Sequence, residues 1–406
     1  MLDSLPDGWQ RLTIGDLAEI KTGGTPSRKR DDYWGGSIKW MASGEVWQRY
    51  VSDTAERITE AGMGASAAKI LPRGSVMVAL NGQGKTRGSA AILTEEMTCN
   101  QSLAAILPSP AHEPLFMLYF IESQYKELRA LTGDNARNGL NLGLLKKFPI
   151  SVPPLPEQQR IAEVLTSVDD SIRATEAVIA QAERVKRGLM EDLLTGGLGS
   201  EAIARSEVPE GWEGATLDEL TYRPISYGVL KPGDYTADGV PMLRIQDAKN
   251  GWKYEDLWRI SPELDEEYRR TRVNVDDLVF SVVGTLGECK KIDDELAGSN
   301  VSRAFAVIGP NDRVLTDFVY HFLTSDFVLS WVAQTGRGGA QKVINLGDLR
   351  KLNVPLPSMD EQRRIVSLLN TSELQISKNR ETVDQLQRLK RGLMDDLLTG
   401  RVRTVA

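Results

Sequence analysis

The stretch Lys186-Arg187-Gly188-Leu189-Met190-Glu191-Asp192-Leu193-Leu194-Thr195-Gly196 returns 204 residues later as Lys390-Arg391-Gly392-Leu393-Met394-Asp395-Asp396-Leu397-Leu398-Thr399-Gly400. Working outward, Glu157-Gln158 and Ile161 return at the same offset as Glu361-Gln362 and Ile365, and Asn141-Leu142-Gly143 as Asn345-Leu346-Gly347. Pro6, Gly8 and Trp9 match Pro209, Gly211 and Trp212 at an offset of 203. Four markers spread over half a chain at one near-constant spacing mean a tandem duplication. The repeated unit is about 200 residues long, far beyond the period of a solenoid.

The quoted stretch closes a helix. Upstream of it Ile161, Leu165, Val168, Ile172, Thr175, Ile179 and Ala182 recur at alternating steps of four and three, and Ile365, Leu369, Ser372, Ile376, Asn379, Val383 and Leu386 occupy the same places in the second copy. Two such positions per heptad make the narrow seam of a coiled coil rather than the wider face of a core helix. Pro156 suits a first helical turn, Ser358 with Glu361 has the spacing of a capping box, and glycine after threonine ends both helices. About 40 residues at ~1.5 Å each make rods of about 60 Å. Matched seams predict that the two helices pair with each other. Two copies packed about a pseudo-two-fold axis make that pairing antiparallel.

The remaining parts are rich in short β-type runs broken by glycine, at 75–80, 90–93, 103–107 and 278–283. Each copy embeds one helix, with Phe116, Phe120 and Ile121 matched by Phe318, Phe322 and Leu323. The expected fold is α+β: two tandemly duplicated mixed α/β domains, 1–152 and 206–354, separated by two long helices at 153–205 and 355–406. The helices are expected to form an antiparallel coiled coil with pseudo-two-fold symmetry.

Composition excludes several classes. With 41% hydrophobic and 26% charged residues the chain is ordinarily globular, and no apolar run reaches the ~18 residues of a membrane span. Asp3 and Asp7 stand where a signal peptide would be basic. Cys99 and Cys289 cannot frame a disulfide scaffold in 406 residues, so a reducing cytoplasm is expected. His112 and His321 fall at non-equivalent places and suggest no repeated catalytic base.

Three motifs mimic chemistry. Residues 79–86, ending Gly84-Lys85-Thr86, satisfy a relaxed phosphate-loop pattern, but 87–93 reads as a hairpin returning into a strand rather than as the helix such a loop must open. Asp277 with Glu288 and Lys290 resembles a nuclease's acidic-acidic-lysine set at loose spacing and without a counterpart in the first copy. Val152-Pro153-Pro154-Leu155 lacks the polar and aromatic flanks of a methyltransferase motif, and its prolines serve to stiffen the chain ahead of the helix. No credible active site emerges. The alternatives are a coiled-coil scaffold for protein interactions and a P-loop NTPase at 79–86.

Two glycine-hairpin domains, each followed by a helix that opens around Glu-Gln and closes Lys-Arg-Gly-Leu-Met to Leu-Leu-Thr-Gly, resemble the specificity subunit of type I restriction-modification enzymes. The resemblance covers the whole chain. It is strongest at Pro153-Pro154-Leu155-Pro156-Glu157-Gln158 with Pro355, Pro357, Glu361 and Gln362, and includes Thr22-Gly23-Gly24-Thr25-Pro26-Ser27, which the second copy replaces with 222–228. It implies a non-catalytic subunit whose two target-recognition domains each read half of a bipartite double-stranded DNA site, with the helices as a ruler for the spacer. It also implies two methyltransferase subunits that modify adenine, and restriction subunits in the full complex. S-adenosylmethionine, ATP and magnesium would belong to those partners, and this chain would hold no cofactor or metal.

DNA contact calls for Lys, Arg, Asn and Gln in loops. In the first copy the candidates are Asn81, Gln83, Lys85 and Arg87 of the hairpin, Asn100 and Gln101, and Asn135, Arg137 and Asn138 of the turn before the helix. In the second they are Arg244, Gln246, Asn300, Arg303, Arg337, Gln341 and Lys342, with Asn300 matched to the neighbourhood of Asn100. Residues 1–150 carry 17 basic and 16 acidic side chains and 206–355 carry 17 and 24, so any binding face is local. Near-identical repetition of Lys186, Arg187, Leu189 and Met190 as Lys390, Arg391, Leu393 and Met394 points to a docking surface for the methyltransferase, against the plainer reading that Leu189 and Met190 only close the coiled coil.

Overall fold

The computed structural model describes residues 5–82, 84–131, 139–248, 251–336 and 342–404. The principal helices are α1 (Pro114–Ser123), α2 (Leu155–Leu194), α3 (Thr316–Leu323) and α4 (Met359–Leu397). The chain divides into two compact units, 1–176 with 381–406, and 177–380. Each unit therefore holds one globular domain and about half of each long helix.

In the first unit the strands Ile20–Thr22, Leu103–Ile106, Val76–Ala79, Ala90–Leu93 and Tyr50–Val51 lie side by side in that order, antiparallel except for the last pair. A three-stranded sheet places Trp34–Met41 between Glu56–Ile58 and Thr98–Cys99. Gln10–Thr13 pairs with Pro149–Val152, which tethers the start of the domain to the chain that leads into α2. The second unit repeats this with four strands in place of five in the larger sheet: Ser226–Tyr227, Phe305–Ile308, Leu278–Ser281, Cys289–Lys291; then Trp258–Ile260, Val240–Leu243, Asn300–Val301; then Glu213–Thr216 with Asn353–Leu356.

The glycine-bounded runs become strands buried on both faces. Val76 and Val78 point into the core shared with Phe116, Phe120 and Ile121 of α1, while Met77 and Ala79 point into a second core with Ala91, Leu93 and Leu103. That division follows the two-residue period of a strand. In the second unit Leu278 and Phe280 join Phe318 and Phe322, and Val279 joins the opposite cluster.

The long helices run antiparallel within each unit. In the first, Arg403 holds Glu157 at 2.7 Å and Lys390 reaches Asp169 at 2.7 Å. In the second, Arg380 pairs with Glu183 and Lys186 with Glu373. Ile161, Leu165, Ile172, Ile365, Leu369, Ile376 and Val383 are the buried seam positions. The helix ends also belong to the globular cores, Ile161 and Leu165 with Leu397 and Leu398 in one unit, Met190 and Leu194 with Ile365 and Leu369 in the other.

The closely repeated motifs meet at this junction. The Gln158 amide is 1% exposed, accepts from the Glu113 N–H at 2.9 Å and donates to the carbonyls of Pro153 and Ala111. Gln362 does the same with Leu315, Pro357 and Arg313. Each glutamine thus ties the first turn of a long helix to the start of the embedded helix. A Cβ on Gly400 would lie 2.7 Å from Pro6 and 3.2 Å from Trp9, and one on Gly196 would lie 2.5 Å from Pro209, so the prolines and tryptophans of the opening motif close over the glycines that end the helices.

Candidate nucleic-acid interface

In the first unit the hairpin between Val76–Ala79 and Ala90–Leu93 is pinned from behind. Tyr125 donates its hydroxyl to the Lys85 carbonyl at 2.8 Å, and Arg129 donates to that of Arg87 at 3.0 Å. Asn81 and Lys85 are exposed and Arg87 half-buried. Asn81 lies so close to Gly139 that a Cβ there would fall 1.8 Å from Asn81 Oδ1. The hairpin therefore meets the chain that runs into the Asn141-capped helix Leu142–Lys146. The second unit shows the same meeting: Gly284 donates to the Lys342 carbonyl at 3.3 Å and Val283 bridges to Val343. Gln83, Asn135, Arg137, Asn138, Arg337 and Gln341 lie outside the described residues.

A third loop joins this end in the first unit. The 23–27 segment packs against the turn after Thr98–Cys99, with Thr25 donating to Gln101 Oε1 at 2.5 Å and Trp40 Nε1 donating to the Gly24 carbonyl at 2.9 Å. Thr25 and Gln101 are exposed, as are Arg28, Lys29 and Arg30 beyond them. Arg28 is held over Trp34 and pairs with Glu56, and Arg30 pairs with Asp32. Sequence reasoning passed over this basic run, although Arg28-Lys29-Arg30 is the densest cluster of positive charge in the first domain. In the second unit it also missed Arg269 and Arg270, which with Arg350, the single carboxylate of Glu267, Gly228 and Leu230 line a groove of about 640 Å³.

Other candidates have internal duties. Asn300 is fully buried: its amide donates to Asp265 at 3.0 Å and to the Tyr268 carbonyl, and its oxygen accepts from Thr271 and from the Val301 N–H. It locks a turn and presents nothing to solvent. Its counterpart in the first copy is Thr98, two residues before Asn100, because the strand registers pair Trp40 with Thr98 and Met242 with Asn300. Asn100 turns back on its own loop, accepting from Ser102 N at 3.0 Å. Arg244 makes a two-pronged pair with Asp247 and stacks over Trp258, with exposed Gln246 beside it. Arg303 and Lys342 are exposed.

The repeated Lys-Arg-Gly-Leu-Met block also turns inward. Lys390 joins Asp169, Tyr119, Arg49 and Glu122 in one network, and Lys186 pairs with Glu373. Burial alone would push the Asp169 carboxyl up, but Lys390, the Tyr119 hydroxyl and Arg49 together hold it below the usual carboxylate value. Leu189, Met190, Leu393 and Met394 pack against the globular cores. Of the docking candidates only Arg187 and Arg391 are exposed. Internal packing is the physical reason for six of those eight repeated residues, so a docking surface is not needed to explain them.

The chemical mimics resolve likewise. The chain on the far side of Gly84-Lys85-Thr86 runs into Ala90–Leu93, a strand, so this loop does not open a helix as a phosphate loop must. Asp277 is 1% exposed and held by Arg223, Tyr222 and the Asn274 N–H. Among the described residues no group of three or more His, Cys, Asp and Glu side chains could hold a metal ion, and no helix is long and apolar enough to cross a membrane.

The family model for the type I restriction modification DNA specificity domain matches twice, over residues 6–184 and 209–388. The chain belongs to this family. The specificity-domain matches coincide with the two sequence copies and run on into both long helices. Among curated relatives, the type I restriction enzyme EcoBI specificity subunit of Escherichia coli is 28% identical over 67% of this chain and 62% of its own length. The putative type I restriction enzyme MjaX specificity subunit of Methanocaldococcus jannaschii is 25% identical over 99% of this chain and 95% of its own. The fold matches that of the S subunit from M. genitalium, with a TM-score of 0.59 over 98% of this chain and 97% of that one at 16% identity.

Proposed function

We propose that this chain is the DNA-reading subunit of a type I restriction-modification complex, with one half of a bipartite site read by each unit. The observation that carries the reading is the repeated convergence of loops: in both family-matched copies the central hairpin meets the segment before the asparagine-capped helix, with exposed polar and basic side chains around it. A scaffold for unrelated proteins would not require the same loop pair twice on two otherwise divergent surfaces. Phosphate contacts would come from Lys85, Lys29 and Lys342 and from the Arg269–Arg270 groove, and base contacts from the exposed loop side chains. The chain would direct adenine methylation by two modification subunits and cleavage by restriction subunits without performing either. S-adenosylmethionine, ATP and magnesium would be those partners' cofactors, and the setting would be the cytoplasm.

Domain exchange tests this. Residues 1–152 are replaced with the corresponding domain of a relative, the chain is co-expressed with its modification subunits, and methylated adenines are mapped across the host genome. One half of the methylated motif should change while the other half stays. Change in both halves, or in neither, overturns the assignment of one half-site to each unit.

A further inference from the structure

We infer that one structural position reads a base in each unit: Gln101, oriented by Thr25, reads an A·T pair, and Arg303 reads a G·C pair. This rests on the DNA-reading function proposed above and specifies which side chains perform it.

The equivalence of the two positions comes from the backbone. Met41 pairs with Cys99 as Leu243 pairs with Val301. One residue on, Asn100 N donates to the Met41 carbonyl and Ser302 N to that of Leu243, both at 3.0 Å. Gln101 and Arg303 therefore follow at one and the same place. The facing segment matches too: Gly24 N donates to the Cys99 carbonyl at 2.9 Å and Val229 N to that of Val301 at 2.7 Å. Thr25 and Leu230 thus stand opposite Gln101 and Arg303. A Cβ on Gly23 would lie 1.8 Å from the Cys99 oxygen, and one on Gly228 would lie 2.0 Å from that of Val301, so both units need glycine for this approach.

Within this shared frame the exposed side chains differ in chemistry. The Thr25 hydroxyl donates to Gln101 Oε1, which holds the amide in one place at the loop tip. One lone pair on that oxygen and both N–H groups stay free. An acceptor beside a donor is what the N6 and N7 edge of adenine requires. Arg303 is exposed, and no side-chain partner is seen for it among the described residues. Arg244, by contrast, is occupied by Asp247. A free guanidinium fork fits O6 and N7 of guanine. A fixed frame with an exchanged reader is how two copies of one unit would come to prefer different bases.

The test uses the full chain assembled with its modification subunits. Once the wild-type motif is mapped, binding is measured on duplexes carrying each of the four base pairs at every position of both half-sites. Gln101→Ala should erase an adenine preference of about 5- to 150-fold at one position of one half-site, and Thr25→Val should weaken preference at that position alone. Arg303→Ala should erase a guanine preference at one position of the other half-site, and Arg303→Gln should turn it toward adenine. If both alanine variants keep the wild-type base preferences, or weaken binding to all duplexes evenly with a shallower salt dependence, the assignment is overturned. A wild-type complex with no sequence preference would instead overturn the DNA-reading function itself.

Discussion

His321 shows how one residue carries a different duty in each copy. It stands at the place of Tyr119 on the embedded helix, and both side chains aim at the long helix packed alongside. Tyr119 donates to Asp169 at 2.7 Å, whereas His321 shares a 2.7 Å contact with Asn370, which donates on to Asp317 at 3.0 Å. Asp317 in turn pairs with Lys291, and Glu373 with Lys186 stand nearby. His321 is fully buried, and burial holds its imidazole below the ordinary value despite Asn370. The unfolded chain therefore binds a proton at about pH 6.5 that the folded chain refuses until lower pH. Stability of the second unit should fall as pH drops from 7 through that window and level off below the folded value. Urea unfolding followed by hydrogen exchange of α3 at pH 7 and pH 5 measures this. His321→Gln, which keeps a donor toward Asn370, should flatten the slope; an unchanged slope would show that His321 is not the group responsible.

At the scale of elements, the two lysines that begin the closing motif should be unequal despite their sequence identity. Lys390 reaches Asp169 at 2.7 Å where the carboxylate is 9% exposed, and Lys186 reaches Glu373 at 3.4 Å where it is 42% exposed. Lys390→Met should cost about 1.5–3 kcal/mol, the worth of a hydrogen bond to a charged group, softened because Arg49 and Tyr119 stay on Asp169. Lys186→Met should cost less than about 1 kcal/mol, as exposed pairs do. Chemical denaturation of both variants decides it, and equal losses would refute the distinction. These elements also show what sequence can and cannot convey. Periodicity exposed the seam from Ile161 onward, and the glycine-bounded runs at 76–79, 90–93, 103–106 and 278–281 became strands, because both signals are local. The burial of Asn300 and the inward turn of Lys186 and Lys390 were hidden, since each depends on partners 29 to more than 180 residues away. A lysine ahead of Arg-Gly-Leu-Met reads as exposed charge until the carboxylate on the other helix is known. Thr25 and Gln101 were likewise legible as polar loop residues but not as a pair, because 76 residues separate them.

For the whole molecule the chain passes between the two units twice, near 176 and near 380, both times within a long helix. If those helices measure the spacer between half-sites, lengthening only one leaves its partner too short, so both must grow together. Seven residues inserted after Glu176 and seven after Arg380 keep the heptad phase and add about 10 Å at ~1.5 Å per residue. At ~3.4 Å per base pair the unspecific spacer should widen by at most about three base pairs, with both half-site sequences unchanged. Two residues inserted at each place should behave differently. They turn the downstream seam by roughly 200°, which carries Ile179, Ala182, Val383 and Leu386 out of register with the positions they follow. Methylated adenines mapped in cells carrying each variant separate the cases: a wider spacer for seven, lost methylation for two. An active seven-residue variant that keeps the original spacer would mean that the helices hold the two units without measuring the distance between half-sites.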